Sequence, residues 1–213
     1  MPLPALPLDS SLVSVSRIVP RAWAGPGDSV RRASGIEVAT LVLLGASSAA
    51  AVMLIDFNLR LPGHAILRSV FPMALGIALV PRVGAGWILG IGAWIGAPCL
   101  LAVGATEKGW GAITSLCLTG PLLDVALRRI HTGWRVPVAF ALAGLVSNLG
   151  AMAVQVTLKL SGLGGGGRRF GDWLMTAALT YPSFGLLAGL LSAAAWFHLR
   201  MPRPPQASDE VSS

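Results

Sequence analysis

A cluster of polar side chains lies between two apolar runs of the sequence, in "NLRLPGHAILRS" at residues 58–69. The segment contains Asn58, Arg60, His64 and Arg68. Its Pro-Gly pair interrupts helical structure, and a helix is predicted to begin at Ala65. His64 and Arg68 are then expected on one face of that helix. Such donors at a helix N-terminus suit a carboxylate, a phosphate or a polar heterocycle. We expect a substrate-binding site here. Snorkelling of Arg68 to the membrane interface is the alternative.

Further polar or aromatic side chains fall inside apolar runs, where lipid makes polar groups costly. Trp94 is central in its run, and we expect it to stack on a ligand in the bundle. Asn148 and Gln155 are predicted to hydrogen-bond the ligand, with helix–helix hydrogen bonding as the alternative for Asn148. Asp124 and Arg128 lie four residues apart, on one predicted helix face. They form either a structural ion pair or a coupling site.

The composition is that of an integral membrane protein. The 213 residues are 54% hydrophobic and 12% charged, and the mean hydropathy is +0.71. A soluble domain carries about 25% charged residues. The net charge of +7 would suggest a nucleic-acid partner in a soluble protein. Here the arginines fall between apolar runs, where they anchor and orient helices, so we expect no nucleic-acid partner.

Six apolar runs predict an all-α integral membrane fold, a bundle of six transmembrane helices. The runs cover residues 35–57, about 65–80, 84–103, 110–127, 134–158 and 173–199. The second and fourth runs are the shortest. Trp196 closes the sixth run, and we expect its indole ring in the headgroup region. We therefore divide the chain into a disordered basic leader at 1–34, a six-helix membrane domain at 35–200 and a disordered tail at 201–213.

The distribution of Lys and Arg predicts that both termini are cytoplasmic. One side of the predicted topology carries ten basic residues: Arg17, Arg21, Arg31, Arg32, Arg82, Arg128, Arg129, Arg135, Arg200 and Arg203. The other carries six: Arg60, Arg68, Lys108, Lys159, Arg168 and Arg169. The segment 58–69 then faces outward, and the protein is expected to be a multi-pass protein of the cell (inner or plasma) membrane.

Signatures of catalysis do not occur in the sequence. It has no G-x-S-x-G, no H-E-x-x-H, no C-x-x-C and no Walker lysine. In the predicted topology His64 lies outside, whereas His131 and His198 lie inside, so the three cannot share one metal. We therefore expect neither an enzyme nor a protein that requires a metal or a cofactor.

Small residues recur at helical spacing in the first run. Gly45 and Ala49, and Ala46 and Ala50, are small pairs four residues apart. Small residues at this spacing allow helix backbones to approach closely. We predict that Gly45, Ala46, Ala49 and Ala50 dock another membrane protein. Packing within one monomer is the alternative.

Six short helices, internal termini, this small-residue row and a polar outer loop together resemble the substrate-binding S component of energy-coupling factor (ECF) vitamin transporters. Family members carry an Ala-xxx-Ala motif in the first helix, which "ASSAA" at 46–50 matches. The resemblance covers the layout of residues 35–200. It implies that the loop after the first helix closes over a vitamin-like ligand, and that the first helix docks a transmembrane coupling subunit with paired ATPases.

The leading hypothesis from the sequence is thus the binding and uptake of a small organic solute by an ECF-type subunit in the lipid bilayer. A membrane scaffold or assembly protein that packs through small-residue helix faces is the main alternative. A membrane enzyme acting on lipids is a weaker one, since the chain lacks paired acids and a nucleophile–base set.

Overall fold

The computed structural model describes residues 34–55, 61–80, 82–104, 110–130, 134–163 and 169–200. Within these ranges the chain forms six α-helices and no β-strand. Numbered α1 to α6 in chain order, they are Gly35–Leu54, Ile66–Leu79, Ala85–Ala102, Trp110–Arg129, Arg135–Leu160 and Phe170–Arg200. The prediction of an all-helical fold with six helices is confirmed. Apart from Ser34, the predicted leader and tail lie outside the described residues.

Five of the helices are long and apolar enough to cross a membrane, as expected of a multi-pass membrane protein. The exception is α2, which has 14 residues. At 1.5 Å per residue it extends about 21 Å, less than the roughly 30 Å of a hydrocarbon core. Proline disfavours helical backbone in the residue before it, and Pro81 follows the last residues of this run. The second apolar run therefore forms a helix shorter than a full span.

The six helices pack in a closed ring, in which α2 lies between α6 and α1. Going round the bundle, α1 contacts α3, α3 contacts α4, α4 contacts α5, α5 contacts α6, and α6 and α1 both contact α2. The short α2 also contacts α3 and α4 across the interior, and most of its side chains are buried. Its two ends therefore lie among the other helices, which can shelter the irregular backbone on either side of it.

Helix α1 begins with a complete capping box. The Ser34 hydroxyl accepts a hydrogen bond from the Glu37 backbone N–H at 3.2 Å, and the Glu37 carboxylate accepts one from the Ser34 N–H at 2.9 Å. The same carboxylate pairs with Arg82 at 3.1 Å. Glu37 thus satisfies a helix terminus and links α1 to the segment before α3.

The small-residue row of α1 packs inside the monomer. Gly45 and Ala49 are buried, and a Cβ added at Gly45 would clash with the carbonyl oxygen of Leu89 in α3. From the α3 side, a Cβ added at Gly96 would lie 3.0 Å from the Cα of Ala46. The predicted docking role is therefore corrected for Gly45 and Ala49, because α3 covers them. Ala46 and Ala50 are half-buried.

Asp124 joins two helices at the end of the bundle where α4 finishes. Its carboxylate accepts hydrogen bonds from the Gly84 backbone N–H at 2.9 and 3.1 Å, and thereby caps the start of α3. It also pairs with Arg128 at 2.9 Å; its side chain is 1% exposed, and that of Arg128 is 43% exposed. The structure therefore supports the structural interpretation of this pair. We call this side of the molecule the Asp124 end.

Trp196 corrects another expectation. Trp196 closes the last apolar run, where an indole would be expected in the headgroup region, yet it is buried against Phe140 and Phe197. Helix α6 continues beyond it to Arg200, so Trp196 lies inside the bundle rather than at its edge.

Candidate functional site

A cavity of about 170 Å³ opens between helix ends on the side opposite Asp124. It lies where α2 and α4 begin and α5 ends, and we call this side the cavity end. The cavity is lined by Leu61, Pro62, Gly63, His64, Ala65, Arg68, Gly111, Ala112, Ser115, Asn148, Gln155 and Tyr181. Four of the predicted binding residues, His64, Arg68, Asn148 and Gln155, thus meet in one place.

The turn at residues 61–65 is held in position by Asn148. Its side-chain Nδ2 donates to the carbonyl oxygen of Gly63 at 3.1 Å and to that of Tyr181 in α6 at 2.8 Å. Gly63 has a φ of +85°, which favours glycine. A Cβ there would lie 3.0 Å from the Tyr181 ring. The turn therefore packs against α6, and one amide connects α5 to both.

Arg68 stabilises the end of α1. Its side chain is 6% exposed, and its Nη1 donates to the carbonyl oxygens of Val52, at 2.9 Å, and Ile55. Those carbonyls belong to the last turn and C-cap of α1, where the helix dipole presents partial negative charge. The positive charge of Arg68 is thus partly offset within the protein. Arg68 is therefore a buried residue that contacts the end of α1, and its side chain is not exposed on the outside of the bundle.

The contact between His64 and Arg68 fixes the tautomer of the imidazole. Arg68 Nη2 lies 2.6 Å from His64 Nε2. A guanidinium has no acceptor, so Nε2 accepts, and the ring proton lies on Nδ1. Nδ1 in turn donates to the carbonyl oxygen of Leu61. The two side chains that were predicted to share one helix face are thus also in direct contact in the structure.

Three uncharged residues that line the cavity carry polar groups with no hydrogen-bond partner within the described ranges. These are the Gln155 carboxamide, the Tyr181 hydroxyl and the Asn148 Oδ1. Ser115 also lines the cavity, where its hydroxyl donates to Ala112 at 3.0 Å. A ligand can therefore meet both donors and acceptors here.

Beneath Ser115, a short polar chain joins α4 to α5. The Ser147 hydroxyl donates to the Ser115 carbonyl oxygen at 2.9 Å and lies 2.8 Å from the Thr119 hydroxyl. All three residues are buried. Their hydrogen bonds fix the register of the two helices that carry most of the uncharged cavity groups.

One described residue among the predicted substrate-binding residues, Trp94, is not at the cavity. Trp94 lies on α3 with its side chain 62% exposed and does not line the cavity, so the structure brings no stacking role to it. Its neighbours at helical spacing, Trp87, Ile91 and Ile95, are exposed too, which indicates a lipid-facing stripe. Asn58 and Arg60 lie outside the described residues.

Sequence reasoning did not assign Tyr181 or Ser115 to the site. Tyr181 is the single tyrosine of the chain and directly precedes the internal proline of α6. That combination is a signal that could have found it. Ser115 has no comparable signal, because serines are frequent in these helices and most bond to their own backbone.

Neither a metal site nor a related protein accounts for the cavity. In the part of the chain that the structure describes, no three His, Cys, Asp or Glu side chains are grouped to hold a metal ion. Comparisons with protein-family models, characterised proteins and solved structures find no match to this chain.

Proposed function

We propose that the protein binds a small organic, vitamin-like solute within the membrane and serves as the substrate-binding subunit of an ECF-type transporter. The observation that carries the proposal is the cavity at one end of a six-helix membrane bundle. Its wall combines apolar surface with a few uncharged polar groups, as small-molecule sites do. The turn at 61–65, which follows α1, forms part of that wall.

The proposed orientation places both termini in the cytoplasm, in the cell (inner or plasma) membrane, with the cavity end outward. Basic side chains support this orientation. Arg82, Arg128, Arg129 and Arg135 all lie at or near the Asp124 end, where α1 and α3 begin and α4 finishes. An excess of Lys and Arg marks the cytoplasmic side of membrane proteins. A solute would then enter from outside the cell.

In this proposal the protein works with a transmembrane coupling subunit and paired ATPases. Because α3 covers Gly45 and Ala49, that subunit would meet the outer face of α1, where Leu43 and Ser47 are exposed. Release of the subunit into a state in which lipid covers this face costs little free energy, because the surfaces in contact are apolar. Van der Waals packing drives their association in the bilayer.

An uptake experiment tests the transport role. Cells that express the protein with a coupling subunit and its ATPases are expected to accumulate at least one labelled vitamin above cells without it. Ala112 lines the cavity, so Ala112→Leu should fill it and abolish uptake. Ala178→Leu, on an exposed position of α6, is the matched control. Uptake of no vitamin, or uptake that Ala112→Leu leaves unchanged, contradicts the proposal.

A further inference from the structure

We infer that the cavity selects an uncharged single-ring molecule with a carboxamide-like edge, one that offers both a hydrogen-bond donor and an acceptor. The inference rests on the proposed function in one respect, that the cavity is a solute site. It adds the size, the charge and the hydrogen-bonding character of that solute.

The size follows from the cavity volume of about 170 Å³. A buried cavity of roughly 150 Å³ in another protein accommodates one benzene molecule. The present cavity therefore has room for one six-membered ring with a small substituent. The cavity is open on one side, so two fused rings with side groups would extend beyond the space that these residues line.

The charge expected of the ligand follows from the hydrogen bonds that Arg68 makes within the protein. Arg68 carries the one permanent charge on the described cavity wall. Its Nη1 donates to the carbonyl oxygens of Val52 and Ile55 and its Nη2 donates to His64, so both terminal nitrogens face acceptors within the protein and the C-terminus of α1 partly offsets the charge. An anionic ligand would have to displace these contacts. A cationic ligand would find no carboxylate among the described lining residues and a guanidinium close by.

The hydrogen-bonding character follows from the uncharged groups. Asn148 uses its Nδ2 for Gly63 and Tyr181, which leaves Oδ1 as an acceptor. The Gln155 carboxamide has no partner among the described residues and supplies either a donor or an acceptor, and the Tyr181 hydroxyl does the same. A ligand with one donor and one acceptor can satisfy these groups, whereas a bare hydrocarbon ring would leave them without partners, at a cost.

Three probes of nearly equal size separate these properties. Purified full-length protein in detergent is titrated with benzamide, benzoate and benzamidine, which are neutral, anionic and cationic at neutral pH. Binding is measured by calorimetry and by the rise in thermal unfolding temperature. Benzamide is expected to bind best and to raise the unfolding temperature the most. Stronger binding of benzoate or benzamidine, or no binding by any of the three, overturns the inference.

Two substitutions of Gln155 sharpen the test. Gln155→Leu should weaken benzamide binding about three- to tenfold, the effect of one lost hydrogen bond. Gln155→Glu should shift the preference toward benzamidine. Thr157→Val is the matched control, because Thr157 is exposed on the same helix and its hydroxyl donates to the carbonyl oxygen of Ala153, one turn earlier. Unchanged benzamide affinity in Gln155→Leu contradicts the assignment of the amide edge.

Failure of this inference and failure of the proposed function give different results. If benzamide binds as expected but no solute accumulates in cells with the coupling subunits, the transport role fails and the ligand class stands. If vitamins accumulate while charged probes bind better than benzamide, the transport role stands and the ligand class is wrong.

Discussion

The two ends of the bundle use polar side chains in different ways. At the Asp124 end, the carboxylate, the N–H of Gly84 and Arg128 satisfy one another, as do Glu37 and Arg82. At the cavity end, charge is balanced within the protein by the contacts of Arg68, but uncharged groups on Gln155 and Tyr181 have no partner among the described residues. The contrast shows that polar groups at the Asp124 end hold helices together, and it agrees with the proposal that the cavity end binds a ligand.

The largest expected effect comes from breaking the Asp124 end. Asp124→Ala removes the acceptor that caps α3 and leaves the Gly84 N–H without it, so the free energy of unfolding should fall by about 2–3 kcal/mol. Thermal unfolding in detergent measures the loss. Arg129→Ala is the control, with a loss below about 1 kcal/mol, because Arg129 is an exposed neighbour of this pair. Ligand affinity should not change in either variant; a change would contradict the separation of roles.

A smaller effect is expected from the residue that joins structure and site at the cavity end. Asn148→Ala removes the donor to Gly63 and Tyr181 and should cost about 1–2 kcal/mol. It should also loosen the turn at 61–65, which limited proteolysis followed by mass spectrometry can detect. Gln155→Ala, which removes a half-buried amide without a described partner, should leave stability within about 0.5 kcal/mol. Equal losses in the two variants would refute the distinction between them.

The smallest effect is expected outside both ends. Trp94→Leu changes an exposed side chain on the outer stripe of α3. Stability should stay within about 0.5 kcal/mol of the wild type, and benzamide affinity measured by calorimetry should be unchanged. Loss of ligand binding in this variant, in protein that still inserts and folds, would show that the site lies elsewhere on the molecule.

Sequence patterns predicted the parts of this structure that depend on local spacing. Apolar runs gave helix positions to within a few residues, and the four-residue spacing of His64 and Arg68 placed them in contact. It was harder to predict which face of a helix points into the bundle, because helices that are apolar on all sides carry little sequence signal for the inward face. Trp94 and Trp196 were misplaced for that reason, one predicted inside the bundle and the other at its edge.

Hydrogen-bond partners that are distant in sequence could not be predicted from local patterns. The acceptors of Arg68, Val52 and Ile55, precede it by 16 and 13 residues. The acceptors of Asn148 include Gly63, 85 residues away. Only the packed bundle brings these groups together. The sequence could therefore identify costly polar side chains, but could not distinguish those that serve the backbone from those left for a ligand.

In the proposed function, the shortness of α2 limits the size of the molecule that the cavity would hold. Its 14 residues leave roughly 9 Å of the hydrocarbon thickness unfilled by that helix. Four neighbouring helices contact α2, and the cavity lies at its start. In this proposal, the absence of one to two helical turns determines how large a ligand fits. Inserting one turn of helix at the start of α2 would exclude a ring, and deleting one would admit a larger molecule.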